Sequence, residues 1–540
     1  MAKGYRPVDR DQVFLLPPDM REWLPPGHPV WLVIAAVEQL DTSVFHARRK
    51  TGGAGAAGYD PDMLLMVLVW AYAHRERSSR RMEELCRTDV AFRVICAGNL
   101  PDHSTIARFR KDFPGPVAEF FAQVLVLCAR LGMGRLGTVA LDGMKIAGSA
   151  SKGANRTEGT LARLAAETVA AHAAEDAAED ELFGDGRGDE VPEEAWSSRS
   201  RGERIAAALA QLRAERDAAE AREQGRVQEF RARQQAGQRT GRGPAAAEVA
   251  LAQENLDRVR AARQAQLAEL EKQYAAGQPR RGRPAGVDDY CRVRQAAAKV
   301  AAARQREAER QAAGQRAAGP GPVRNITDPD SRLMPTRNGF IQGYNPQNVT
   351  SGDGLIIATE LTDDPADMAW YEPMMSQAAQ AAALIEANRP AAGEPEAGPG
   401  GIGQALADAG YCSEANLTCP GPDRLIAVGK RRDLEHAARD PDPAAGPGTG
   451  PGWGGPAVQA MRQRLQSPDG IAAYRQRGHI AETPHGHIKH NMGFRQLSMR
   501  GKDRAAAEWT FACAVHNLFK ALTTGHLTPQ TLASLPSMAG

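Results

Sequence analysis

The chain has 540 residues, with 67 lysines and arginines against 65 aspartates and glutamates, for a formal net charge of +2. That length exceeds one ordinary core and predicts two to four structural units. The near-neutral balance excludes a uniformly basic coat, so any contact with a polyanion has to come from local clustering.

The cysteines (Cys86, Cys96, Cys128, Cys291, Cys412, Cys419 and Cys513) are odd in number and widely spread, with no C-x-x-C pair. This argues against a zinc ribbon and for a reducing compartment. The polar start lacks the apolar core of a signal peptide. The longest apolar run, Met63 to Ala73, is shorter than the roughly 20 residues a membrane span needs. A cytoplasmic protein is expected, without membrane contact, and the run reads as a buried core helix opening at Pro61-Asp62.

Residues 1–135 alternate short apolar helical patterns with Pro and Gly punctuation. Ser78-Ser79-Arg80-Arg81 leads into one basic helix, and Pro101-Asp102-His103-Ser104-Thr105 leads into a second that carries Arg108 and Arg110. Asp102 or Ser104 can cap the second helix. With a turn around Gly98 to Pro101 between them, the pair suggests a helix-turn-helix; a helical bundle with solvated arginines is the alternative. Next, Thr138-Val139-Ala140-Leu141-Asp142-Gly143 is a short strand that ends in a carboxylate and a turn-permitting glycine.

Between 153 and 320 the composition shifts to Ala, Arg, Glu and Gln, in long helix-forming stretches broken by acidic and Gly-rich segments. Leu256, Val259, Leu267 and Leu270 form one narrow helical stripe. The region is expected to be an inserted, coiled-coil-like antiparallel helical hairpin, with its acidic run at 175–194 a solvated segment. Beyond 320, the runs Phe340 to Asn345 and Leu355 to Leu361 read as strands with a turn at Ser351 to Gly354 between them. A helix from Met368 to Ala387 follows, then strands at Gln404 to Ala407 and Leu425 to Val428, a Pro- and Gly-rich loop at 437–457, and final helices over 458–476, 482–492 and 505–522. The order predicts an α/β fold in which a mixed sheet is flanked by helices. The units expected are a helical N-terminal domain (1–135), a sheet-containing domain in two parts (136–152 and 321–525) around the 153–320 insertion, and a tail (526–540).

Three carboxylates recur in similar settings: Asp142 and Asp408 after short strands, and Glu482 at the start of a helix with Pro484 in its first turn. Phosphodiester chemistry needs a nucleophile, stabilised phosphate charge and help for the leaving oxygen, which two divalent ions can supply. Clustered carboxylates repel one another unless such an ion sits between them, and Mg²⁺ favours hard oxygen ligands. Each residue also has an ordinary alternative: Asp408 as a turn residue, Glu482 as a helix-terminus charge. From Ile471 to Arg504 there are seven Lys or Arg (475, 477, 489, 495, 500, 502, 504) and two acidic residues (482, 503). A carboxylate inside such a strip suits a polyanionic substrate. His479, His485, His487 and His490 lack a matching zinc set and read as DNA-facing or surface residues.

On these motifs the chain resembles the bacterial insertion-sequence transposases of the DDE class, which have an RNase H-like catalytic core. Ser78 to Arg110 looks like their helical N-terminal domain, which makes 1–135 the implied DNA-binding domain and 136–152 with 321–525 the implied catalytic domain. Asn325 to Arg332 with Gly343-Tyr344-Asn345 looks like the re-entry into their catalytic domain, and Ala407-Asp408-Ala409-Gly410-Tyr411 like their second aspartate motif. Tyr474, Arg477, Glu482 and Lys489 resemble their Tyr, Arg, Glu, Lys signature, with four residues between Arg477 and Glu482 where a related branch has three.

The resemblance implies an RNase H-like mixed sheet and an endonuclease that cleaves DNA at insertion-sequence ends and transfers the strand into target DNA. Asp142, Asp408 and Glu482 would hold two Mg²⁺ ions, for which Mn²⁺ may substitute. DNA contacts would come from Tyr474, Arg477, Lys489, Arg495, Arg80, Arg81, Arg108 and Arg110. The partners implied are double-stranded DNA, which makes the protein nucleoid-associated, and a second copy of the chain, as a homodimer on paired ends. Trp196 or Trp370 could stack on a displaced base. The alternatives are a transposase-derived DNA-binding protein without catalysis and an RNase H-like nuclease without strand transfer.

Overall fold

The protein is described from a computed structural model over residues 19–47, 58–167, 193–236, 243–276, 284–317, 322–390, 401–429 and 455–536, with positions 279 and 282. Most of the acidic run at 175–194, nearly all of the loop at 437–457 and the Trp196 side chain lie outside the described residues. The chain divides into two compact units, one formed by Met1–Ala154 with Thr327–Gly540, the other by Asn155–Ile326.

In the first unit, Asp60 accepts the Asp62 N–H at 2.8 Å and Pro61 opens the helix Pro61–Ala73. Residues Met63 to Tyr72 of that helix are all buried. It is therefore apolar all round because it runs through the core, and no helix among the described residues is long and apolar enough to cross a membrane. Further helices run over Ser79–Thr88, Val90–Cys96, His103–Lys111 and Val117–Arg130. The turn expected between two basic helices thus contains a whole extra helix, Val90–Cys96. The reversal itself falls at Ala97 and Gly98, both with positive φ (46° and 83°). Asp102 caps the His103–Lys111 helix, accepting the Thr105 N–H at 2.9 Å.

Nine strands occur among the described residues: β1 Thr138–Gly143, β2 Ile146–Ala147, β3 Asn155–Thr157, β4 Val323–Asn325, β5 Arg332–Thr336, β6 Gly339–Ser351, β7 Ile356–Thr362, β8 Gln404–Ala407 and β9 Asp423–Ile426. The long β6 pairs with β5 and β2 through its first half and with β1 and β7 through its second. Across the middle of the sheet the order is β7-β6-β1-β8-β9. β1, β8 and β9 run parallel, and β6 is antiparallel to both β1 and β7. Val139, Ala140 and Leu141 are all 0% exposed, so β1 is covered on both faces and shows no polar alternation. The short approach of β2 to β6 depends on Gly343, where a Cβ would stand 1.9 Å from the Ile146 carbonyl oxygen. The helices Tyr371–Asn388 and Lys502–Thr523 pack on this sheet through β7, and Val117–Arg130 packs against both of them.

The second unit is a two-strand base, β3 antiparallel to β4, with three long helices: Glu193–Gln235, Ala245–Ala275 and Cys291–Ala317. The expected two-helix hairpin is therefore one helix short. Apolar positions are sparse, and they make two small clusters: Leu161 with Ile205, Ala208, Leu209 and Leu212, and Leu256 with Val293, Ala296 and Val300. Leu267 and Leu270 stay only partly buried.

Candidate active site at the ends of two parallel strands

β1 and β8 are in register through Leu141 opposite Ala407, so the next residue of each strand, Asp142 and Asp408, leaves the same edge side by side. Asp408 turns its carboxylate back to accept the Gly410 N–H at 2.9 Å, which opens the short turn Ala409–Tyr411. The helix Pro468–Arg477 delivers two further residues. The buried Tyr474 donates its hydroxyl to the Ala407 carbonyl at 3.2 Å, bracing the strand end just before Asp408. The half-buried Arg477 places Nη1 3.4 Å from Asp142 Oδ1. Tyr474 is thus a packed positioning residue; it was expected to contact DNA, but burial removes its ring from any DNA surface.

Glu482 does not begin a helix, as the sequence suggested. Helical structure runs without a break from Pro468 to Asn491, with π-helical segments at Gly478–Glu482 and His487–Asn491 around a single α turn, Thr483–Gly486. A π segment bonds i to i+5 and widens the turn by one residue. The extra residue between Arg477 and Glu482 is absorbed there, leaving Glu482 about one turn beyond Arg477. Pro484 is the second residue of the α turn, directly after the π segment. Glu482 is exposed, and Lys489, half-buried, has no hydrogen bond or ion pair among the described residues.

Burial works against the charge of Arg477, but Asp142, Tyr474, Asp408 and Glu482 outweigh it and hold the guanidinium protonated, its pKa raised. All three candidate carboxylates therefore act on one cation. Burial also pushes Asp142 up; His485 and Arg477 reverse this, and its net shift is downward. Asp408 ends raised, first by burial and then by the neighbouring charge of Asp142. As they stand, Asp142, Asp408 and Glu482 do not form a set whose ligand atoms all lie within 4.8 Å of one another; His46, Asp60 and Asp62 do, at the protein surface. In that surface group Asp60 caps a helix and Asp62 pairs with His46 at 3.1 Å.

Three features of the site were not foreseen. His485 is buried, contrary to its reading as a surface residue. Asn348 Oδ1 accepts from Thr359 Oγ1 (2.6 Å) and Trp509 Nε1 (3.2 Å), so its amide nitrogen donates to His485 Nε2 at 3.0 Å. This assigns the imidazole proton to Nδ1, which faces Asp142 Oδ2 at 3.7 Å. Second, a row of polar residues on β6 (Asn345, Gln347 and Asn348) is 1% exposed or less beneath the strand ends. Third, Asp367 lies beside them: its Oδ1 accepts from Asn345, Gln347 and Lys145. The signal available in the sequence was Asn345-Pro346-Gln347-Asn348, polar residues inside a strand that is otherwise buried.

The basic residues expected to meet DNA divide. Arg110 is corrected: it is 6% exposed and spans Glu508 Oε1 (3.0 Å), Ser498 Oγ (2.5 Å) and the Arg77 carbonyl (2.8 Å), so it is a core cation. Arg80, Arg108 and Arg495 are exposed, and Arg81 pairs with Glu84 at 2.5 Å on the surface. Trp370 packs against the core.

Two protein families match the chain: Transposase domain (DUF772) over residues 18–112 and Transposase DDE domain over residues 455–522. The first covers the N-terminal helices and the second the segment holding Tyr474, Arg477, Glu482 and Lys489. Both matches support an insertion-sequence transposase of the DDE type. No curated protein and no solved structure matches it. The candidate donor set fits a divalent cation: it is built of carboxylate oxygens, and the buried Asn345 Oδ1 has no hydrogen-bond partner.

Proposed function

We propose that this transposase cleaves DNA at insertion-sequence ends and joins the freed 3′ hydroxyl to target DNA, using divalent ions held by Asp142, Asp408 and Glu482. The observation that carries the reading is the register of β1 with β8, which sets two aspartates side by side with one arginine opposite them. The strand order β7-β6-β1-β8-β9 with β6 reversed supports an RNase H-like core for this chemistry.

Two ions, Mg²⁺ or Mn²⁺, would stabilise charge on the phosphate and on the attacking and leaving oxygens. The chain's own residues hold the carboxylates in place. Tyr474 fixes the end of β8, and His485, oriented by Asn348, fixes the outer oxygen of Asp142. Arg477 neutralises the aspartates until a phosphate or cation takes over, and Lys489 is free to meet a phosphate near the scissile bond. DNA flanking the site would be met by Arg495 and, from the N-terminal helices, by Arg80, Arg81 and Arg108. A dimer would bring two ends together.

The test incubates the full chain and D142N, D408N and E482Q with DNA carrying the element's own ends and Mg²⁺. Nicked and joined products from the unaltered chain, absent from all three variants, are expected. A mobility shift without cutting would leave a DNA-binding protein, and cutting without joining a nuclease.

A further inference from the structure

Asp367 stands at the start of the turn that leads into the Tyr371–Asn388 helix, and its two carboxylate oxygens have different surroundings. Oδ1 is saturated by Asn345 Nδ2 at 2.7 Å, Gln347 Nε2 at 2.9 Å and Lys145 Nζ at 3.1 Å. Gln347 is itself held from the other end by the Tyr411 hydroxyl. Four residues drawn from three segments thus fix the plane of one carboxylate. Among the described residues Oδ2 accepts no hydrogen bond.

Oδ2 comes near Asp408 at Gly410: a Cβ there would stand 3.3 Å from Asp367 Oδ2 and 3.0 Å from Asp408 Oδ1, so both carboxylates border the space that this glycine leaves open. On the Oδ1 side, a Cβ at Gly143 would stand 2.6 Å from Gln347 Nε2, 2.7 Å from Asp367 Oδ1 and 3.1 Å from Asn345 Oδ1. That Asn345 oxygen belongs to a side chain 0% exposed and has no hydrogen-bond partner. Its amide nitrogen already donates to Asp367 and to the Asp364 carbonyl, so the side chain cannot be flipped to satisfy it. A buried acceptor without a donor costs stability unless a ligand or its water supplies one. A carboxylate oxygen without a donor, beside Gly410 and Asp408, and an orphaned amide oxygen near Gly143 therefore both lie around Asp367.

We infer that Asp367 is a fourth carboxylate of the metal site, presenting Oδ2 to the divalent cation, or to its bound water, on the Asp408 side. The inference rests on the metal-dependent reading above and extends it to a residue outside the Asp, Asp, Glu trio. Lys145, Asn345 and Gln347 act as positioning residues through Asp367 Oδ1. Gly410 is required because a side chain there would fill the space between the two carboxylates, and Gly143 because a side chain there would collide with the Gln347–Asp367 hydrogen bond that fixes Oδ1.

The test uses Mn²⁺ as probe, with the full-length chain, no DNA and free Mn²⁺ followed by electron paramagnetic resonance. Thermal melting of each protein in chelator reports folding. D367N is expected to weaken Mn²⁺ binding about 10-fold or more, as loss of groups around a metal site commonly does, with D408N weakening it at least as much. G410A keeps every carboxylate but inserts a methyl group between two of them, and should weaken Mn²⁺ in the same direction, so the inference stays testable even if D367N folds poorly. Titrations of D367N and G410A that superimpose on the unaltered chain, while D408N weakens, would overturn the role of Asp367 and leave the trio intact. Unaltered chain and D408N binding Mn²⁺ equally would overturn the metal reading itself, and this inference with it.

Discussion

Arg477 gives the sharpest test of how the site is held together before it meets an ion. Its Nη1 lies 3.4 Å from Asp142 Oδ1, with the two side chains 17% and 16% exposed. Replacing it by methionine keeps the length and removes the charge, so Asp142 and Asp408 face each other without a cation. Loss of one partner from a buried pair costs about 3–5 kcal/mol, and the residual exposure favours the lower end. The first unit has roughly 370 residues, and at about 2.1 cal/mol/K of unfolding entropy for each, 3 kcal/mol lowers its melting temperature by about 4 °C. The assay is thermal melting of R477M in chelator and again in Mn²⁺. The variant should melt lower in chelator and gain more from Mn²⁺ than the unaltered chain, because a cation that binds only the folded state adds about 2.7 kcal/mol at a hundred times its Kd and no longer competes with a guanidinium. An R477M that melts at or above the unaltered chain in chelator would refute the claim that Arg477 neutralises the aspartates.

Asp408 carries a pKa raised by burial and by Asp142, so its ionised form is disfavoured in the fold. The cost is absent below the unfolded value of 3.8 and grows as pH rises through the folded one. In chelator, D408N should therefore match the unaltered chain at low pH and exceed it near neutrality, as read by denaturant melts across pH; equal curves would remove the coupling. Asp142 has the opposite sign: its lowered pKa adds stability above 3.8 that is lost as pH falls. The two N-terminal arginines separate packing from DNA contact. R110M should lower the melting temperature by about 4–6 °C through the stranded Glu508, with little change in the salt dependence of DNA binding. R108A should melt normally and reduce the slope of log affinity against log salt by about 1; a reversed pattern in DNA titrations would restore Arg110 as a DNA contact.

The elements that carry their own punctuation were legible in the sequence. Asp60-Pro61 starts a helix, Gly352 to Gly354 turns a hairpin, and the Val139 to Leu141 run ending in Asp142 is a strand, because caps, turns and short apolar runs are local. Arg477 and Glu482 were visible for the same reason, as charges in a basic strip.

The tertiary structure decided whatever depended on partners far along the chain. Arg108 and Arg110 sit two residues apart on one helix, yet only Arg110 meets Glu508, nearly four hundred residues away, and becomes part of the core. His485 looked like one of a surface cluster until Asn348 on β6 enclosed it. Asp367, in the run Thr362-Asp363-Asp364-Pro365-Ala366-Asp367, was indistinguishable from its acidic neighbours; only the approach of Gly143, Asn345 and Gly410 set it apart. A sequence states which groups can ionise or hydrogen-bond, but desolvation and the distance to the next charge fix what each one does, and both are properties of the packed chain.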